Sequence, residues 1–211
     1  MQQLVKKALK RGLHPWITKL GYEPRQLKIE DNMLEEFFIT LAQTNFKPLH
    51  IVDVGANHGK WTRTAFKYFP EAYFTLLEPQ KWLEVHVKDL LQNNPRIKFH
   101  AVGAGSENGS FKFTLLDRDD SSTFMITEEQ ASEKGLKQID IEVVALNDFI
   151  PQQSWPGPAI IKLDAEGIDL EVLKGASDYF GKTEILLVEA TVVSKHSKND
   201  VVTVINYMKE N

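Results

Sequence analysis

Three short, almost unbroken apolar runs set the frame: LHIVDVG (49–55), AYFTLLEP (72–79) and IKFHAVG (97–103). Between them lie two stretches of helical period. Lys60 to Phe69 reads as a helix stopped by Pro70, and Lys81 to Gln92 as a helix stopped by Asn93-Asn94-Pro95. Strands that are apolar on both faces belong inside a parallel sheet covered by helices on both sides. The alternation pauses at residues 104–157. There GSFKFTLL and QIDIEVVAL predict an inserted or edge hairpin, with Ser121-Ser122 and an acidic 128–134 segment between them. It resumes with AIIKLDAEG (159–167), a short helix over Asp169 to Gly175, EILLVEA (184–190) and a last helix over Asp200 to Lys209. The expected class is α/β: a doubly wound, mostly parallel sheet with helices on both faces.

Ahead of the sheet, Glu30 to Gln43 carries Met33, Leu34, Phe37, Phe38 and Leu41 at helical spacing. Residues 4–22, LVKKALKRGLHPWITKLGY, predict an earlier basic amphipathic helix. Such a helix can lie on an anionic membrane, but packing on the domain with a solvated basic face is the commoner use of the pattern. The expected division is an N-terminal helical extension over 1–45 and a main domain over 46–211, with 104–157 inserted. No apolar run approaches the roughly 20 residues that span a bilayer, and the N-terminus lacks the apolar core of a signal peptide. Net charge is −4, so no global basic field recruits nucleic acid. There are no cysteines. This excludes a disulfide framework, a cysteine nucleophile and a thiolate metal site, and fits a cytoplasmic location.

The first strand breaks into DVGANHGK, residues 53–60. In open parallel sheets, ligands bind beyond the carboxyl ends of the strands, and this turn sits at such an end. Gly55 permits a sharp turn, Asn57 tolerates a left-handed backbone, and Gly59 permits close packing as the next helix starts. Three nucleotide readings compete. The phosphate loop fails, because Gly55 to Lys60 is one residue short and Trp61 occupies the hydroxyl position. The dinucleotide fingerprint fails, because only Gly55 and Gly59 are present, which disfavours an NAD-dependent oxidoreductase. The third pattern, Asp-x-Gly-x-x-x-Gly, suits S-adenosylmethionine, which has no pyrophosphate. Asp53 can face that ligand's ammonium group, directly or through water. Glu78 ends the second strand at about the separation where an acid grips ribose hydroxyls in related folds.

In order along the chain, DVGANHGKWT, LEP, AVG, SST, VVALNDFI, IIKLDAEGIDLEVLKGA and VEA resemble the FkbM family of S-adenosylmethionine-dependent methyltransferases over about residues 48–190. The resemblance implies a Rossmann-like class I methyltransferase fold and methyl transfer, typically to a hydroxyl oxygen of a sugar, glycan or natural product. It implies that Asp53, Gly55, Ala56, Asn57 and Gly59 line the cofactor, that Glu78 holds the ribose, and that Ala101 and Val102 border the adenine. Asp164 falls at the mouth of the fourth strand, sharing a strand face with Lys162, and Glu166 follows in the loop. For Asp164 three roles stay open: base, ligand of a divalent cation, or contact to the cofactor's methionine part. Glu166 is the second candidate base, and His58 a weaker one. The remaining histidines show no metal-ligand spacing. The expected partner is an acceptor with a free hydroxyl, whose identity the residues do not give. Members of this fold usually continue into an antiparallel strand pair after the last helix, which this chain is expected to lack. That leaves a non-catalytic, methyltransferase-like module as the alternative.

Overall fold

The computed structural model describes residues 29–92, 94–192 and 199–211. Two compact units divide the chain, residues 1–37 and 38–211. The boundary falls inside helix α1 (Ile29–Gln43), upstream of the expected border at 45/46. The basic segment 4–22 lies outside the described residues. Among the described residues no helix is long and apolar enough to cross a membrane.

The second unit is built on five parallel strands: β1 (His50–Val54), β2 (Tyr73–Leu77), β3 (Ile97–His100), β7 (Ile160–Leu163) and β8 (Ile185–Val188). Their order is β3-β2-β1-β7-β8, with every pairing parallel. The chain works outward from β1 to β3 and then crosses back to the other side of β1. The ends of β1 and β7 therefore flank the switch point. β1 and β7 are buried along their whole length, as strands covered on both faces must be. Helices α2 (Lys60–Tyr68), α3 (Lys88–Leu91), α6 (Asp169–Lys174) and α7 (Val201–Glu210) supply the flanking layers. Asp200 caps α7, its carboxylate accepting from the Val202 and Thr203 amides.

Two expectations need correction. The run Lys81 to Gln92 is a 3-10 helix over Lys81–Val87 followed by the single α turn α3. The run 97–103 is not one strand. It breaks after His100, and Gly103–Ala104 forms β4, which joins a separate sheet. That sheet has order β4-β6-β5, with β5 (Gly109–Leu115) antiparallel to β6 (Lys137–Val144) and β4 parallel to it. The predicted hairpin pair exists, but as part of a three-stranded sheet of its own. A capped helix, α4 (Glu128–Glu133), lies in its long connection, with Thr127 and Gln130 forming a capping box. Helix α5 (Leu146–Phe149) leads from β6 toward β7.

The far end of the sheet carries a pH-sensitive element of stability. His50 on β1 is fully buried. Its Nδ1 lies 2.8 Å from the Pro156 carbonyl and its Nε2 2.8 Å from the Thr75 hydroxyl. A carbonyl only accepts, so Nδ1–H donates and Nε2 accepts in the neutral ring. Burial pushes the imidazole down to about 4, against the pull of the Pro156 carbonyl. The unfolded ring, near 6.5, binds its proton first as pH falls. Stability is therefore complete above 6.5 and is lost between there and about 4, by up to ~3 kcal/mol. Urea unfolding at pH 7 and pH 4.5 should show a larger loss for the native chain than for His50→Gln. Equal losses would contradict this.

Candidate functional site

The turn after β1 is shaped by close approach. Gly55 has φ of +72°, a conformation that costs a non-glycine residue strain. Its amide and that of Ala56 both donate to the Leu77 carbonyl, at 2.9 and 3.1 Å. A Cβ on Gly55 would overlap the Asp164 carbonyl oxygen, so the ends of β1 and β7 meet only because this residue lacks a side chain. Asn57 (φ 45°) and Gly59 (φ 72°) complete the turn. A Cβ on Gly59 would strike Val87, so this glycine seats α2 against the 3-10 helix.

Lys162 ties the turn to the fourth strand of the main sheet. It is the register partner of Asp53 and is buried. Its ammonium donates to the carbonyls of Val54 (3.1 Å) and Gly55 (2.9 Å). It also lies 3.0 Å from Asp53 Oδ1 and 3.4 Å from Asp164 Oδ2. Asp53 Oδ1 has no aligned hydrogen bond, so that contact is ionic. Asp53 Oδ2 accepts from the Thr62 hydroxyl at 2.5 Å. Burial opposes the lysine charge, but the two carboxylates outweigh it and hold the ammonium above its usual range.

Beyond the strand ends lies a cleft of about 590 Å³, its open mouth included. Gly55, Asn57, Glu78, Val102, Asp164 and Glu166 are among its walls. Glu78 is 3% exposed. Its Oε2 accepts from the Asn57 amide (2.9 Å), and its Oε1 from the backbone and side chain of Gln80 (3.0 and 3.2 Å). A carboxylate has about four acceptor sites, so capacity remains for a ligand. Burial raises its pKa against those donors. Gln80 also donates to the Asp119 carbonyl (2.9 Å), which carries the 116–122 loop over the cleft. Ser122 closes that loop by accepting from the Leu116 amide (3.1 Å).

The opposite wall is acidic. Glu166 sits in a left-handed turn (φ 51°) before Gly167 (φ 99°). The turn is held from below by fully buried Asp169, which accepts from the Ala165 amide (2.7 Å) and the Asn199 amide group (2.8 Å). Glu189 follows β8, and its amide donates to the Leu163 carbonyl (3.0 Å). The Leu163–Val188 register thus sets Glu189 beside Asp164. Desolvation and repulsion from Asp164, Asp120 and Asp169 push Glu166 up to about 7. A hydrogen bond that the protonated Glu189 carboxyl donates to Asp164, then desolvation, pushes Glu189 to about 7 as well. Carboxyls poised there can take up or release a proton at neutral pH.

The structure thus brings Gly55, Asn57, Glu78, Val102, Asp164 and Glu166 to one cleft. Asp53, Ala56, Gly59 and Ala101 do not line it. Asp53 and Ala56 are buried, and Asp53 lies against the Lys162 ammonium. Sequence reasoning missed Gln80, Glu189 and the 116–122 loop. Glu189 carried a readable signal, since it stands one residue past an apolar run just as Asp164 does. His58 lies 3.4 Å from Asp119 and belongs to the surface. Among the described residues no group of three or more His, Asp or Glu side chains is arranged to hold a metal ion.

A family model described as the methyltransferase FkbM domain matches residues 53–211, about three quarters of the chain. Methyltransferase sdnD of Sordaria araneosa is 26% identical over 156 residues, covering 61% of this chain and 60% of that protein. Methyltransferase 1 of Beauveria bassiana (strain ARSEF 2860) is 23% identical over 151 residues, covering 61% and 58%. The chain therefore spans about three fifths of the length of the curated relatives it matches. Among solved structures, precorrin-6y C5,15-methyltransferase from Geobacter metallireducens GS-15 aligns with a TM-score of 0.47 at 11% identity, over 89% of this chain and 73% of that one.

Proposed function

The chain belongs to the FkbM methyltransferase domain family, and from that premise we propose that it moves a methyl group from S-adenosylmethionine to a hydroxyl oxygen of a sugar, glycan or natural product. One observation carries the reading: the glycine turn, the buried Glu78 carboxylate and Asp164 converge on a single cleft at the switch point of the sheet. The cofactor supplies the methyl group on a cationic sulfur, an electrophile that needs no activation by the protein. The spare acceptor site of Glu78 fits a ribose hydroxyl. Val102 and Ser122 give the cleft a wall suited to a base. Asp164, already half-compensated by Lys162, suits a positive charge beside it.

The remaining work is orientation and proton removal. An alcohol must shed its proton as the new bond to oxygen forms. In this reading Glu166 and the Asp164–Glu189 pair accept it, supported by the positions of Asp164 and Glu166 on the cleft wall. Carboxyls near 7 are mostly protonated at pH 6 and mostly ionised at pH 8. With labelled S-adenosylmethionine and a panel of hydroxylated acceptors, transfer should rise with pH through an apparent pKa near 7, and Glu166→Gln or Glu189→Gln should lower and flatten that limb. A chain that binds the cofactor yet labels no acceptor would favour the non-catalytic module.

A further inference from the structure

A second cavity adjoins the first. It holds about 920 Å³, its open mouth included. Ala104 and the Phe124 ring are walls of both cavities. The ring lies directly against β4 because Gly103 is there: a Cβ on that residue would come within 2.8 Å of the ring tip. Phe124 is also held by Phe113, with ring centroids 4.7 Å apart, so it forms a fixed partition. Phe111, Ile126, Val143 and Ile168 supply further apolar lining to the second cavity. Phe111 is 40% exposed, a large ring left open to water at the entrance.

The rim carries a sign. Glu107, Glu128 and Glu171 stand on it, against one cation, Lys112. Asp140 pairs with Lys112 at 3.0 Å, which removes the group an anion would need. Lys174 pairs with Glu171 at 2.7 Å, leaving Glu107 and Glu128 to set the local field. An anionic ligand would enter against like charge.

We propose that this second cavity is the acceptor site, and that it takes an uncharged, largely apolar molecule carrying a hydroxyl, not a phosphorylated or carboxylated one. The acceptor lies on the apolar floor of Phe111, Val143 and Ile168 and presents its hydroxyl past Phe124 to the neighbouring cleft. The assignment rests on the cofactor reading of that cleft.

Two probes test it. N-phenyl-1-naphthylamine is apolar and uncharged at pH 8, and 1-anilinonaphthalene-8-sulfonate is of similar shape but anionic. With saturating S-adenosylhomocysteine present, the neutral probe should still bind one site on the native chain, and the sulfonate several-fold more weakly at low salt. Ser106→Trp puts an indole at an exposed position of this cavity alone and should weaken the neutral probe at least tenfold. Phe111→Ala, at an exposed position, should weaken it several-fold if the indole disturbs folding. Both variants should bind S-adenosylhomocysteine as the native chain does. Neutral-probe binding untouched by both substitutions, or displaced one for one by S-adenosylhomocysteine, would overturn the assignment. Equal or tighter binding of the sulfonate would overturn the chemical class. Failure of S-adenosylhomocysteine to bind at all would remove the acceptor role with the cofactor reading, and would do so without altering the probe results.

Discussion

Lys162→Met should cost about 3–5 kcal/mol of unfolding free energy, the usual penalty for stranding one partner of a buried ion pair. Asp53 is fully buried, and without the ammonium its carboxylate keeps only the Thr62 hydroxyl. The Val54 and Gly55 carbonyls lose their donor at the same time. The effect is therefore larger than that of a lost surface pair, which is worth about 1 kcal/mol or less. Urea denaturation at pH 7 measures it. Adding Asp53→Asn to Lys162→Met should recover part of the loss, because the stranded charge is gone. A loss under about 1 kcal/mol in the single variant would mean that the ion pair does not hold the strand ends together.

Glu78→Ala should weaken S-adenosylhomocysteine about 10- to 150-fold. A ribose hydroxyl on the remaining acceptor site of the buried carboxylate makes a charge-assisted hydrogen bond worth about 1.5–3 kcal/mol. Glu78 also orders its own surroundings, through the Asn57 amide and Gln80, so the alanine variant loosens the loop as well. Glu78→Gln keeps the shape and one strong acceptor, and should retain more affinity than the alanine. Thermal melting of both variants separates a loss of ligand contact from a loss of fold. Undiminished binding by a folded Glu78→Ala chain would remove the ribose from this end of the cleft.

These two residues show what a single sequence makes legible. Glu78 could be found because a strand end, a proline and a glycine turn are local signals, and a parallel sheet brings strand ends together. Gly55, Asn57, Asp164 and Glu166 were placed at the strand ends by similar signals read with the family resemblance, and they line the cleft. Asp53 was placed at the strand end, yet its direction depended on Lys162, 109 positions later in the chain and beside it only through the register. Nothing local says whether such an acid turns toward a ligand or into the sheet. The break after His100 was hidden for a similar reason. IKFHAVG reads as one apolar run, and Gly103–Ala104 leaves it only because β6 offers a partner. The β5–β6 pair was legible; the third strand and the close approach of Phe124 to Gly103 follow from that departure. The 3-10 helix over Lys81–Val87 was missed because its apolar spacing fits an α-helix equally well.

The most direct test of the central claim is calorimetric titration of the native chain with S-adenosylhomocysteine, with NAD as the comparison. The cleft between the glycine turn, Glu78 and Asp164 predicts binding at one site, weakened in Glu78→Ala, with NAD binding far more weakly or not at all. A folded native chain that ignores S-adenosylhomocysteine, or that prefers NAD, would contradict the account.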